Sequence, residues 1–135
     1  MSNTSQRLKD ALREYLAVVR PSDDIAVVDA LQRAEIELPT LAIGVSSVEP
    51  HSVVMPHIKR CAVEMTLRCH AGDDDSEINE WLDQLESALN DPSSIKAACS
   101  TGLRMDFWIY NGCEQTWDES MFEASFSAEC LVVRI

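Results

Sequence analysis

Residues 59–90, KRCAVEMTLRCHAGDDDSEINEWLDQLESALN, contain the pattern that decides the fold. From Lys59 to Cys69, apolar residues alternate with polar ones, which is the period of a β-strand with one buried and one solvated face. After His70-Ala71-Gly72 the period becomes helical, and acidic residues separate the apolar positions. The stretch therefore predicts a strand followed by an amphipathic helix from Ser76 to Leu89. The helix packs on the sheet through Ile78, Trp81, Leu82, Leu85 and Leu89.

Alternation elsewhere predicts three more strands, so the expected fold class is α+β, with a single domain over residues 1–135 and a mainly antiparallel four-stranded sheet. In one of these strands, Phe107 and Ile109 are expected to share the buried face with Leu103 and Met105. Asn111-Gly112 predicts a turn after it, because both residues tolerate positive φ. The four strands are expected at Leu41–Val45, Lys59–Cys69, Leu103–Tyr110 and Met121–Ile135.

The N-terminal region has helical spacing. One helix is predicted up to Val19, with Thr4 or Ser5 as its cap and Pro21 as its stop. Its apolar stripe consists of Leu8, Ala11, Leu12, Tyr15, Leu16 and Val19. A shorter second helix is predicted from Asp23 to about Ala34. A helical turn is also plausible over Ile95–Cys99.

Two segments are predicted to contact other chains. The loop from Glu49 to Pro56 contains two prolines and is longer than a tight hairpin turn, and such loops more often carry contacts than core packing. The last strand becomes apolar on both faces, so a neighbouring subunit or the N-terminal helix must cover its second face. The candidate interface residues are Glu49, Pro50, His51, Ser52, Val53, Val54, Met55, Pro56, Leu131, Val133 and Ile135.

Charge narrows the classes of partner. The chain has 23 acidic and 11 basic residues among 135, a net charge of -12. Duplex DNA and anionic membranes are held by Lys and Arg, so this balance argues against both as bound partners. The polar N-terminus and the lack of an apolar run of about 20 residues predict a soluble protein without a membrane span. The odd count of five cysteines predicts free, mostly buried thiols.

No residue pattern points to catalysis, a cofactor or a metal. Asp73-Asp74-Asp75 is best explained by helix capping, with Asp74 and Glu77 spaced as in a capping box. The histidines and cysteines lack the short ligand spacings of zinc sites, and Cys69 and His70 point to opposite faces of a strand. Cys113 is the one thiol expected to be exposed. The aromatic group Trp108, Tyr110 and Trp117 is either an interface anchor or a lid over a sheet edge.

The run Leu67–Glu77, LRCHAGDDDSE, and the helix that follows to Leu89 resemble the central part of bacteriophage tail terminator proteins, the lambda-type minor tail protein family. An aromatic strand over Met105–Tyr110 and a long closing strand over Met121–Ile135 follow in the same order. The resemblance implies a non-enzymatic virion subunit that is assembled in the host cytoplasm. It forms a ring, usually a hexamer, which caps the tail tube protein and docks the neck or head–tail connector. DNA passes through the ring without specific binding.

Three alternatives stay open from the sequence. The second N-terminal helix and the cysteines depart from the family pattern, which leaves room for a neck or head-completion adaptor. A cytosolic interaction protein unrelated to phage could use the same scaffold, and a stable monomer would favour it. An enzyme with a cysteine nucleophile is the third, and rapid alkylation of one thiol at neutral pH would favour that class.

Overall fold

The computed structural model describes residues 3–30, 39–52, 54, 57–70, 76–100, 102–118 and 120–134, and these form an α+β fold. The strand and helix from the opening pattern have nearly the predicted bounds. Eight elements follow one another along the chain: α1 (Thr4–Val19), β1 (Ala26–Asp29), β2 (Thr40–Pro50), β3 (Ile58–His70), α2 (Ser76–Leu89), α3 (Pro92–Ala98), β4 (Leu103–Trp117) and β5 (Met121–Arg134).

The sheet has five strands in the order β1-β2-β3-β5-β4, and it is mixed. β1 runs parallel to β2, whereas the other neighbours are antiparallel. The prediction of four strands was therefore wrong in number, and the fifth lies where a helix from Asp23 to about Ala34 was expected. The three-residue spacing of Ile25 and Val28 resembles a helix stripe, yet both are buried around a short strand of β-branched residues. Residues 31–38 lie outside the described part of the chain.

All three helices pack on one side of the sheet, which we call the covered face; it carries Cys61, Met65, Phe122 and Phe126, each fully buried. Two hydrogen bonds to backbone carbonyls of α2 help to fix this helix in place. The Tyr15 hydroxyl on α1 donates to the Ala88 carbonyl at 2.9 Å, and the indole N–H of Trp108 donates to the Leu89 carbonyl at 2.8 Å. Trp81 is partly buried against the same core, as the predicted stripe requires.

A buried ion pair joins α1 to β1. The Lys9 Nζ lies 2.9 Å from an Asp29 carboxylate oxygen, and the two side chains are only 9% and 10% exposed. Each of these buried charges offsets the desolvation cost of the other, because a buried charge without an opposite charge nearby is strongly destabilising. The pair therefore fixes where β1 lies against the helix.

The helix ends differ slightly from expectation. α1 is capped by Asn3, not by Thr4 or Ser5: the Asn3 Oδ1 accepts the Gln6 N–H at 2.8 Å. Asp91 caps α3 by accepting both the backbone N–H and the hydroxyl of Ser94, and these bonds lower the pKa of its carboxyl group. The acidic run at 73–75 falls outside the described residues.

β4 contains two bulges that change which side chains face the core. The pairing with β5 shifts between Met105 and Phe107, and again between Tyr110 and Gly112. The predicted alternation was therefore wrong beyond Met105, because one extra residue reverses the faces that follow it. The predicted turn at Asn111-Gly112 is also wrong. Gly112 lies within β4 at a φ of +118°, where glycine is favoured.

Candidate subunit interface

The side of the sheet opposite to the three helices, which we call the outer face, carries both described residues of the predicted C-terminal contact. Leu131 and Val133 alternate with the fully buried Cys130 and Val132, so they point away from the covered face, and both are half-buried. The N-terminal helix does not cover them, because it packs on the other side. The sequence left two possibilities for what covers this second apolar face, a neighbouring subunit or the N-terminal helix. The position of α1 rules out the helix. Ile135 lies outside the described residues.

Register places three further apolar side chains beside these two. Ile58 pairs with Val133, Phe107 pairs with Leu131, and Ile109 lies one row further along β4, opposite Glu129. Ile109 is 51% exposed, a large fraction for isoleucine in a strand. We call this group of five the outer patch: Ile58, Phe107, Ile109, Leu131 and Val133. It spans three adjacent strands at one end of the sheet.

The outer face is not open along its whole width. Near β1, the side chains of Val28, Ala42 and Thr66 point to this face and are buried. The exposed part is therefore the side formed by β3, β5 and β4, where the outer patch lies. Neighbouring apolar side chains on an open part of a sheet are typical of sites of association.

The predicted interface loop is shorter than expected. Glu49 and Pro50 are the last residues of β2 and pair with Arg60 and Lys59, so the prediction that they lie in a loop was wrong. Alternation from Leu41 to Val45 did not reveal this extension, because a register shift after Val45 interrupts it. Beyond β2, the His51 N–H donates to the Ile58 carbonyl at 2.7 Å.

The tip of this hairpin is open to solvent. His51 is exposed, Ser52 is half-buried, and Val54 is 87% exposed. Val53, Met55 and Pro56 lie outside the described residues. Since β3 pairs with β2 on one side and β5 on the other, the hairpin tip and the outer patch lie at the same end of the sheet. The structure thus brings together the two segments predicted to contact other chains.

Charges of both signs surround the outer patch. Arg60 is exposed next to Leu131, and Arg104 forms an exposed ion pair with Asp106 at 3.0 Å. No acidic residue occurs from Pro50 to Val63, although the whole chain carries a net charge of -12. An apolar centre with a polar rim is the usual anatomy of a protein interface.

Three residues of the outer patch were missed by sequence reasoning. Phe107 and Ile109 were assigned to the buried face, and only the bulge before Phe107 turns them outward. The residue types gave a hint that the faces could be reversed. Trp108 and Tyr110, which alternate with Phe107 and Ile109, are also large side chains that are often buried. Ile58 stands just before the predicted strand start at Lys59, so its pairing with Val133 was not anticipated.

The aromatic group has two different roles. Trp108 is buried, and Tyr110 donates its hydroxyl proton to a Glu86 carboxylate oxygen on α2 at 3.0 Å, so both close the core. The interpretation as a lid is correct for these two. Trp117 packs on the Phe122 ring with centroids 4.3 Å apart, yet it remains 45% exposed.

The structure places the cysteines and the histidine that the sequence singled out as possible reactive groups or ligands. Cys113, the expected exposed thiol, is half-buried in β4, and burial raises its pKa, which is opposite to the activation that a nucleophile needs. Cys69 is buried while His70 is exposed, as their opposite faces require. Within the described ranges, no three potential metal ligands converge.

Comparison with known proteins does not assign the chain to a family. No protein-family model matches it, and no curated protein matches its sequence. A search of the described helices finds none that is both long and apolar enough to cross a membrane. The geometry of the outer patch and the sequence resemblance are therefore the grounds for a functional proposal.

Proposed function

We propose that this protein is a structural subunit of a bacteriophage virion that assembles into a closed ring, ends the tail tube and joins it to the neck. The observation that carries the proposal is the outer patch, an apolar surface at one end of the sheet that lies next to an exposed hairpin tip. Its partners are other copies of the chain, the tail tube protein and a neck or head–tail connector protein.

A ring accounts for the apolar surface better than an isolated subunit does. Closed cyclic contacts bury the same patch on every copy and leave none exposed. Copies with a charge of -12 repel one another, so association needs apolar contact together with local basic groups. The outer patch and the hairpin that contains Lys59 and Arg60 supply both at one end of the sheet.

The sequence resemblance selects the tail terminator among ring proteins. It covers Leu67–Leu89, which corresponds to the end of β3 and the whole of α2, and the aromatic and closing strands follow in the family's order. Acidity also suits this task. A channel wall rich in Asp and Glu repels the DNA backbone, whereas a basic wall would hold DNA and release it only at high salt.

A positive charge placed in the apolar outer patch tests assembly. Ile109→Arg places a long charged side chain on the most exposed residue of the patch, and we expect light scattering to show loss of the assembled species. Val18→Arg is the matched control, because Val18 is 84% exposed on α1, away from the patch. The control should assemble like the wild type, and both variants should stay folded, as measured by circular dichroism. Equal assembly of both variants would contradict the proposed interface.

DNA binding tests the acidic channel separately. We expect no gel shift of duplex DNA by the purified full chain at low salt, where any basic site binds most strongly. Micromolar or tighter binding under these conditions would contradict passage without binding. Such DNA binding would contradict the acidic channel alone and would not test assembly through the outer patch.

A further inference from the structure

Two cysteines face each other across the centre of the sheet. Cys61 on β3 and Cys130 on β5 are direct partners in the antiparallel register, and both side chains are fully buried on the covered face. Each thiol is also the largest influence on the pKa of the other. This contact has no part in the proposed assembly, because it lies on the side of the sheet away from the outer patch.

The backbone geometry at this pair suits a covalent bond. Directly opposed residues of an antiparallel pair have Cα atoms about 4.5–5.5 Å apart. Disulfides form at Cα separations of about 4.4–6.8 Å. The remaining strand cysteines have no such partner: Cys69 stands opposite Phe122, and Cys113 stands opposite Phe126. Among the described strands, only β3 and β5 place two cysteines in register.

We infer that Cys61 and Cys130 form a modification site, at which a hydroperoxide converts the two thiols into a disulfide that links β3 to β5. In the first step, the Cys61 sulfur attacks a peroxide oxygen, the O–O bond breaks, and a sulfenic acid and one water form from hydrogen peroxide. In the second step, the Cys130 sulfur attacks the Cys61 sulfur and displaces its hydroxyl group as a second water. Two thiols are oxidised by two electrons, and one peroxide is reduced.

The interaction between the two thiols lowers the pKa of Cys61 and raises that of Cys130, which supports Cys61 as the sulfur that attacks first. The register by itself allows either order. Burial instead raises the pKa of Cys69 and Cys113, and it raises the pKa of Cys99 to about 11. Because both thiols are fully buried, their oxidation requires a local opening of the sheet. The register then places a second thiol directly beside the oxidised one, whereas Cys69 and Cys113 have no cysteine opposite them.

The link would hold the two central strands of the sheet together. Both pair along almost their whole length, and each also pairs with an outer neighbour. A bond between residues 61 and 130 closes a long loop in the unfolded chain, which restricts the unfolded ensemble and raises resistance to denaturation. The oxidised protein should therefore unfold at higher urea concentration than the reduced protein.

The test is disulfide mapping of the intact wild-type chain after treatment with hydrogen peroxide. Remaining thiols are alkylated in denaturant, and the digest is analysed without reductant. We expect one dominant cross-linked peptide pair that contains Cys61 and Cys130, a mass loss of about 2 Da, and full reversal by dithiothreitol. Cys113→Ser should retain this cross-link, whereas Cys130→Ser should lose it.

Three results would overturn the inference. The two cysteines could stay alkylatable while Cys113 is oxidised, cross-links could be spread evenly over other cysteine pairs, or sulfinic acids could accumulate without any cross-link. Mapping of the wild type decides among these outcomes even if Cys130→Ser fails to fold.

Discussion

The two faces of the sheet differ in how they are built. On the covered face, large apolar side chains from three helices and five strands form one continuous core, and most of them are fully buried. On the outer face, the outer patch of Ile58, Phe107, Ile109, Leu131 and Val133 is only half-buried, and charged residues flank it. The covered face stabilises the fold, whereas the outer patch is the surface through which we propose that copies associate. Substitutions on the two faces should therefore separate folding from assembly.

The largest effect is expected on the covered face. Phe126 is fully buried at the centre of β5, and Phe126→Ala should cost about 4 kcal/mol because it leaves a large cavity. The neighbouring Ser127 points to the outer face and is exposed, so Ser127→Ala should change the unfolding free energy by less than about 0.5 kcal/mol. Urea denaturation of the two variants measures the difference. Similar losses of unfolding free energy in the two variants would mean that the two faces do not differ in their contribution to stability.

The buried ion pair should give the next largest effect. Lys9→Met leaves the Asp29 carboxylate buried without its cation, and we expect a loss of about 3 kcal/mol in urea denaturation. Adding Asp29→Leu removes the second charge, so the double variant should recover most of that loss. A double variant as unstable as Lys9→Met alone would show that packing, and not the buried charge, causes the loss.

A smaller effect is expected where β4 meets α2. Tyr110→Phe removes the hydrogen bond to Glu86 and should cost about 1 kcal/mol at neutral pH. Burial, and then this hydrogen bond, raise the pKa of Tyr110. The folded state thus favours the protonated phenol, so its contribution is fully present below the unfolded pKa of about 10 and is lost as the pH rises above it.

The pH dependence supplies the check on this contact. Between about pH 9 and pH 11, the urea midpoint of the wild type should fall more than that of Tyr110→Phe. Cys113 interacts with Tyr110, so both proteins are compared in a Cys113→Ser background, where the titration of the other cysteines is common to both. An equal fall in the two urea midpoints would contradict the claim that the protonated Tyr110 hydroxyl stabilises the fold.

The sequence was most informative where one period runs without interruption. β3 and α2 have the predicted bounds to within one residue, because strict alternation and a regular helix stripe each identify an element directly. β1 was missed because a four-residue parallel strand is too short to show its period. The reversed faces of β4 depend on bulges, which are set by pairing with β5 and leave no mark in the alternation itself.

The candidate interface was predicted only in outline. The double apolar character of β5 identified Leu131 and Val133, since this signal lies within one strand. Their neighbours Ile58 and Phe107 come from other strands, and only the register brings them together. A single sequence specifies which residues are apolar, but the pairing of distant strands determines which of them share a surface.

Electron microscopy of the purified wild-type chain tests the ring most directly. The account predicts closed rings of uniform diameter with a central opening, together with a single mass in native mass spectrometry that is an integral multiple of the 15.1 kDa subunit. The tail terminator resemblance predicts six copies. Particles that remain monomeric at every concentration, or open filaments of variable length, would contradict the account.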